Sequence, residues 1–334
     1  MSENWLITGG CGFIGRNLIR RLLREADIGI RVFDNGSVCN GSHLAEVCPY
    51  VCVQNGMTAP SAGEVQLFTG DITNTGDAIQ AVQHMDVIIH LAANTGVPNS
   101  VADPVQDFRY NTLGTFTMLN SARSHGVKKF IFASSGAPTG NSEPPITEKA
   151  VVAPMSPYGA SKLAGEGYCS AWFHCYGLET VALRFSNVYG PYSRHKSSVV
   201  AQFINAAMQG KDWIIFGNGE QTRDFLFVED LVEAIWLAAL TPAIGGEIFQ
   251  ISTGVEYSLH ELTEKLKQAL NACGIKDCSV RNEPIRLGDI QRNFADPSKA
   301  EKMLAWKFTT GLSEGLMQTV RWYQKDYMPK SKQI

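Results

Sequence analysis

The 334-residue sequence predicts an α/β fold: a Rossmann-type, doubly wound parallel sheet with a smaller C-terminal α/β substrate-binding lobe. Three observations carry this. Short apolar runs alternate with longer amphipathic ones, the pattern of a parallel sheet with helices on both faces. Near the N-terminus, Leu6-Ile7-Thr8-Gly9-Gly10-Cys11-Gly12-Phe13-Ile14-Gly15 reads as a strand, a glycine turn and a helix start. An acid, Asp34, ends the next strand 19 residues beyond Gly15, close to the spacing of dinucleotide-binding βαβ units.

Strands are expected near 4–8, 30–34, 65–69, 86–91, 129–134 and 179–185, with helices between them near 13–25, 75–84, 104–125 and 157–176. Beyond about residue 190 the alternation loosens, with helices near 198–209, 228–240, 258–272 and 312–327 among short strands. Residues 1–188 are therefore expected to form the cofactor-binding unit, and 189–330 mainly the substrate lobe, interleaved with it. Residues 36–64, rich in Gly, Ser, Asn and Cys, make a long connection with room for a short helix. Connections of this length are often functional lids or disordered.

Composition narrows the function. A formal charge of −3 gives no reason to expect nucleic-acid or membrane binding. No apolar run approaches the roughly 20 residues of a membrane helix. Trp5 to Thr8 already reads as a first strand, so no signal peptide and a cytoplasmic location are expected. The eight cysteines form no CxxC pair and are expected as free thiols.

In the glycine turn, glycine serves the tight turn, the close approach of backbone to a pyrophosphate, and helix–strand packing. Gly9, Gly12, Phe13, Ile14 and Gly15 are the candidate phosphate-facing residues, with the helix N-terminus contributing N–H groups and a positive dipole end. Asp34 is placed to bind the adenosine ribose hydroxyls. It would repel a 2′-phosphate, and Asn35 brings no compensating cation, which favours NAD over NADP. Asp71-Ile72 could meet the adenine edge, or Asp71 could cap a helix.

Tyr158 and Lys162 stand at i, i+4 in SPYGASK, so on a helix they share a face. Tyrosine, with a pKa near 10, becomes a usable acid/base when a neighbouring ammonium stabilises the phenolate. The strand at 129–134 delivers Ser134 and Ser135 to the same end of the sheet.

TGGCGFIG, Asp34, HLAA at His90–Ala93, Asn111, ASS at Ala133–Ser135 and YGASK at Tyr158–Lys162 resemble the extended short-chain dehydrogenases/reductases. The subgroup they resemble most is the nucleotide-sugar 4-epimerases of the UDP-glucose type. The resemblance spans nearly the whole chain, continuing through SNVYGP, GNGEQTRDFLFVEDL and RLGDIQRNFADPSKAEKMLAW. It implies NAD as cofactor, with Leu91, Ala92, Ala93, Asn111, Tyr158 and Lys162 contributing to its site. Ser135, Tyr158 and Lys162 become the catalytic group. Ser134 and Ser135 would meet the sugar, Asn187, Arg223 and Arg286 the diphosphate, and Asp289 the nucleotide ribose. Salt bridges to Asp224 or Asp289 are the plainer alternative for the two arginines.

Relatives that dehydrate the sugar carry Asp-Glu after the serine or threonine, and decarboxylating relatives carry Glu at the second position. Here these positions are Gly136 and Ala137, which move no proton. The implied activity is 4-epimerisation of a UDP-linked sugar by C4 oxidation, rotation of the 4-keto intermediate and re-reduction. C3/C5 epimerisation needs a further acid/base pair, for which Cys175 and His195 stay open. The family's Val-Tyr-Gly is replaced by Pro138-Thr139-Gly140, so the loop over the sugar is expected to differ. Arg194, His195 and Lys196 could meet a carboxylate, as in UDP-glucuronate, or phosphate, while Asn293 leaves room for an N-acetyl group. A nucleotide-sugar dehydrogenase or reductase and a non-catalytic NAD-binding protein are the remaining readings. The helices near 104–125 and 157–176 resemble those of a family dimer interface, with Phe116, Met118, Leu119, Leu163, Tyr168 and Trp172 supplying apolar surface. A homodimer is therefore expected.

Overall fold

The computed structural model describes residues 3–54, 57–276, 278–284 and 290–327. Strand β1 (Glu3–Thr8) passes through the glycine turn into α1 (Phe13–Leu22), and β2 (Ile28–Asp34) follows. The long connection holds the four-residue helix α2 (Gly41–Leu44) and a short strand, β3 (Val51–Val53), before β4 (Val65–Thr69). Next come α3 (Thr75–Val82), β5 (Val87–His90), α4 (Val97–Ala102), α5 (Pro104–Asp107), a π-helical stretch at Phe108–Gly114, and α6 (Thr115–Ser124). β6 (Lys129–Ser135), α7 (Pro157–Tyr176) and β7 (Glu179–Phe185) lead into β8 (Asn187–Tyr189), α8 (Val199–Met208), β9 (Trp213–Phe216), β10 (Thr222–Arg223) and β11 (Phe225–Phe227). The remainder is α9 (Val228–Leu240), β12 (Ile248–Ile251), β13 (Tyr257–Ser258), α10 (Leu259–Ala272), β14 (Val280–Glu283), α11 (Ser298–Leu304) and α12 (Leu312–Tyr327).

Eight strands form one parallel sheet in the order β12-β7-β6-β5-β1-β2-β4-β3. Its interior strands are buried on both faces, which is why they read as continuous apolar runs. Successive side chains of β1 enter opposite layers. Trp5 and Ile7 join Leu18, Ile19, Leu231 and Ile235 from α1 and α9. Leu6 joins Ala78, Val82, Met118 and Leu119 from α3 and α6. A third core, with Phe203, Trp213, Leu262, Leu266, Leu316 and Val320, belongs to the smaller lobe. The two halves of the chain interleave: α9 covers the large sheet and β12 forms its edge beside β7.

Both edge strands escape the sequence reading. β3 has three residues and its Val51 and Cys52 are exposed, while β12 lies 63 residues beyond the end of β7. The single helix expected near 104–125 is a short α-turn, a π-helical stretch and then α6. The π stretch contains Asn111, whose side chain is committed to tertiary bonds described below, and π turns cluster at functional sites. The apolar surface expected to serve a dimer is also partly used within the chain. Met118 and Leu119 are fully buried and Trp172 is nearly so, while Phe108 and Phe116 remain exposed.

Candidate active site

At the carboxyl ends of β1 and β5, where the strand order reverses, lies a cleft of about 1220 Å3. Open α/β sheets bind ligands at this switch point. Gly9, Gly12, Phe13, Ile14 and Gly15 line it. Gly9 has φ +68° and a Cβ there would stand 2.9 Å from the Ala92 nitrogen; a Cβ on Gly15 would stand 2.5 Å from the Gly10 Cα. Gly12 caps α1 without a side-chain bond, so the first-turn N–H groups remain for an anion.

Asp34 and Asn35 line the same end. The Asp34 carboxylate accepts from the N–H groups of Cys11 (3.0 Å) and Gly36 (2.9 Å). Burial raises its pKa and these bonds oppose the rise. This cradle of glycines and a fixed acid suits the adenosine diphosphate half of a dinucleotide. Ile72 lines the cleft, but the Asp71 carboxylate accepts from the Thr73 N–H (2.8 Å) and hydroxyl (2.9 Å), as a turn cap does.

Leu91, Ala92 and Ala93 form the floor, held by a polar relay beneath it. The Ala92 N–H donates to Thr8 Oγ1 (3.1 Å), whose hydroxyl meets His90 Nδ1 at 2.8 Å. His90 Nε2 meets Thr115 Oγ1 at 3.2 Å, and the Thr115 hydroxyl donates to the Asn111 carbonyl. Every donor in this chain is matched when His90 is neutral and protonated on Nε2. Burial, with Lys162 adding to it, lowers the His90 pKa to about 3. Between pH 6.5 and 3 the unfolded chain therefore carries a proton that the folded chain lacks, so this contribution to stability falls as pH falls. The unfolding free energy should drop by about 2 kcal/mol from pH 7 to pH 5 on this account. Denaturant titration of the wild type against His90→Gln checks it: equal pH slopes would contradict the assignment.

Asn111 itself is buried behind the wall. Its Oδ1 accepts from the Asn94 N–H (2.8 Å), and its Nδ2 donates to the Asn94 carbonyl (2.9 Å) and Asp107 Oδ1 (2.7 Å). It thus positions the cleft segment that contains Asn94.

Ser134, Ser135, Tyr158 and Lys162 meet at the other end of the cleft. Ser156 caps α7 by accepting from the Gly159 N–H at 3.1 Å, which sets the first turn that carries Tyr158. Lys162 Nζ donates to the Ala133 carbonyl at 2.8 Å and lies 5.8 Å from the Tyr158 ring centre. Burial lowers Lys162 to about 8, opposed by Asp107 and Glu166. The lysine was expected to lower the tyrosine pKa. Instead, burial pushes Tyr158 up to about 12, opposed by the Ser135 hydroxyl and reinforced by Asp107. The sequence shows the helical spacing but not the loss of water around the phenol.

The Ser134 hydroxyl donates to Glu166 Oε1 at 2.5 Å, and Ser134 also lines the cleft. Glu166 also accepts from Arg184 Nε (2.8 Å) and Nη2 (2.7 Å), in a pair whose side chains are each 2% exposed. Sequence reasoning missed Glu166 and Asp107. Glu166 continues the Tyr158–Lys162 face by one more helical turn, a signal that was present in the spacing.

Asn187 and Arg223 line the cleft from the smaller lobe. Arg223 donates to the Thr222 and Ile290 carbonyls, both at 2.7 Å. Asp224 is committed to the Thr253 and Gly254 N–H groups and to the Thr253 and Ser186 hydroxyls. Arg286 and Asp289 lie outside the described residues. Arg194 pairs with Asp326 on α12 at 3.0 Å and is not part of the cleft wall; Lys196 is, with Nζ 3.4 Å from Thr95 Oγ1. His195 meets His43 and Cys39, whereas Cys175 is exposed near the end of α7. Gly136, Ala137 and Asn293 also line the cleft, and Pro138-Thr139 forms a single 3-10 turn behind it.

A Rossmann sheet that places a glycine cradle, an acid at the end of β2 and a Tyr-Lys pair around one cleft defines an NAD-dependent short-chain dehydrogenase/reductase of the extended type. The chain belongs to the NAD dependent epimerase/dehydratase family, whose model matches residues 5–252. It is 34% identical to the UDP-glucose 4-epimerase of Mycolicibacterium smegmatis, over 96% of this chain and 98% of that protein. It is 32% identical to the dTDP-glucose 4,6-dehydratase of Streptomyces niveus, over 96% and 92%. The crystal structure of Thermotoga maritima UDP-glucose 4-epimerase with UDP-glucose superposes with a TM-score of 0.86 at 31% identity, covering 97% of this chain and all of that one. Among the described residues no helix is long and apolar enough to cross a membrane.

Proposed function

We propose that the protein is a nucleotide-sugar 4-epimerase that acts on a UDP-linked hexose by oxidising and re-reducing C4. One observation carries this over the dehydratase chemistry of its relatives. The cleft wall beyond Ser135 consists of Gly136 and Ala137, which offer no acid or base for eliminating water. Tyr158 is the group placed to take the proton from the sugar O4 and return it. Ser135 orients that hydroxyl, and Lys162 is anchored beside both by the Ala133 carbonyl. Asp34 and the N-terminus of α1 would hold NAD, which when bound would supply a hydride acceptor and then donor. Arg223 and Asn187 hold the diphosphate, a role that suits the bidentate anion binding of arginine. With the diphosphate fixed, the 4-keto sugar can turn and present its opposite face.

Lys196 favours a second reading of the sugar. It is the cation of the Arg194–Lys196 trio on the cleft wall, where it could pair with the carboxylate of UDP-glucuronate. Incubation with UDP-glucose, UDP-N-acetylglucosamine and UDP-glucuronate, with products resolved by anion exchange and NMR, tests both readings. A C4 epimer is expected from at least one of them. Lys196→Ala should raise KM for the uronate by at least 10-fold if that sugar is the substrate. A 4-keto-6-deoxy product would overturn the epimerase reading.

A further inference from the structure

Away from the reacting groups, Cys39, His43 and His195 bring one sulfur and two ring nitrogens within 4.8 Å of one another. We propose that these three residues form a zinc site that clasps the loop after β2 to the segment after β8. A tetrahedral zinc ion with its usual bond lengths holds such atoms roughly 3.5 Å apart, so the side chains need to close by about 1 Å. A thiolate with two imidazoles is a donor set that suits Zn2+ and disfavours Mg2+ or Ca2+. Coordination releases the Cys39 thiol proton to solvent and changes no other bond.

The surroundings are arranged for ligation. His43 lies in the first turn of α2, and its Nδ1 stands 3.1 Å from Asn40 Oδ1 and 3.2 Å from the Asn40 nitrogen, whose N–H it can accept. Nδ1 faces Asn40, so Nε2 is the nitrogen left for the metal; ligation requires the Nδ1–H tautomer, which donates to Asn40 Oδ1 in place of accepting from the Asn40 N–H. The His43 and His195 rings meet edge-on, with centres 5.0 Å apart and planes at 81°, so two nitrogens can converge on one point. Three protein ligands leave a fourth position for water. The same two segments are already joined through Arg16, which pairs with Glu46 at 2.6 Å and donates to the Tyr192 carbonyl at 3.1 Å. Cys39 also lines the cofactor cleft beside Ser37 and Val38. An ion here would thus hold the wall next to Asp34 in place and slow the escape of bound NAD.

The test uses untagged, metal-free protein titrated with Co2+ as a spectroscopic probe and then with Zn2+. The expected result is tetrahedral d–d bands and a thiolate charge-transfer band that saturate at one equivalent and vanish when Zn2+ displaces the cobalt. Cys39→Ser and His195→Gln should each weaken binding at least 10-fold, and Cys175→Ser should leave it unchanged. His195 is exposed, so His195→Gln keeps the test valid if Cys39→Ser fails to fold. Absence of a one-equivalent tetrahedral spectrum, or its persistence in His195→Gln, would overturn the proposal.

Discussion

Tyr158→Phe is expected to lower turnover of the nucleotide sugar by roughly 10²–10⁴-fold, the range for loss of a positioned general acid/base. Both kcat and kcat/KM should fall together, because the phenol proton matters only as the C4 bond changes. Bound NAD should be retained, since Asp34 and the glycine turn lie at the other end of the cleft. Burial pushes the phenol up to about 12. At neutral pH it therefore starts protonated, and forming the phenolate that takes the O4 proton relies on the Lys162 ammonium beside it. Steady-state rates at several pH values check this. A variant with wild-type turnover would remove Tyr158 from the chemistry.

Glu166→Ala should cost about 3–5 kcal/mol of stability, the scale for stripping one partner from a buried ion pair. It leaves the Arg184 guanidinium charged in a dry site and removes the acceptor of the Ser134 hydroxyl. The double variant Glu166→Leu/Arg184→Met, which leaves no uncompensated charge, should recover most of the loss. Chemical denaturation monitored by tryptophan fluorescence reads both. Equal stability of Glu166→Ala and wild type would show that the pair is solvated.

The large sheet was legible because its six central strands are apolar on both faces and are separated by turn residues and amphipathic helices. The two edge strands were not, for different reasons. Val51–Val53 is short and half solvated, and Ile248–Ile251 joins the sheet from the far side of a lobe that reads separately. No local pattern encodes such non-local pairing. In the site, residue types at fixed offsets were readable: the glycines, Asp34, Ser135, Tyr158 and Lys162 all reach one cleft. Orientation was not. Arg194 and Lys196 are two residues apart in a loop, and only packing decides that one meets Asp326 and the other the cleft. Ser134 likewise gave no sign of its buried acceptor, because Glu166 is 32 residues away. The tyrosine pKa turned on desolvation, a property of the folded surroundings.

The most direct test of one-carbon chemistry is the fate of the C4 hydrogen. UDP-glucose and UDP-glucuronate, each deuterated at C4, would be incubated with the enzyme in ordinary water and the products read by NMR and mass spectrometry. Oxidation and re-reduction at C4 require a C4 epimer that keeps its deuterium there, with no solvent hydrogen at C5. Deuterium delivered to C6 with solvent hydrogen at C5, in a 4-keto-6-deoxy product, would mean that water is eliminated despite Gly136 and Ala137, and would contradict the assignment.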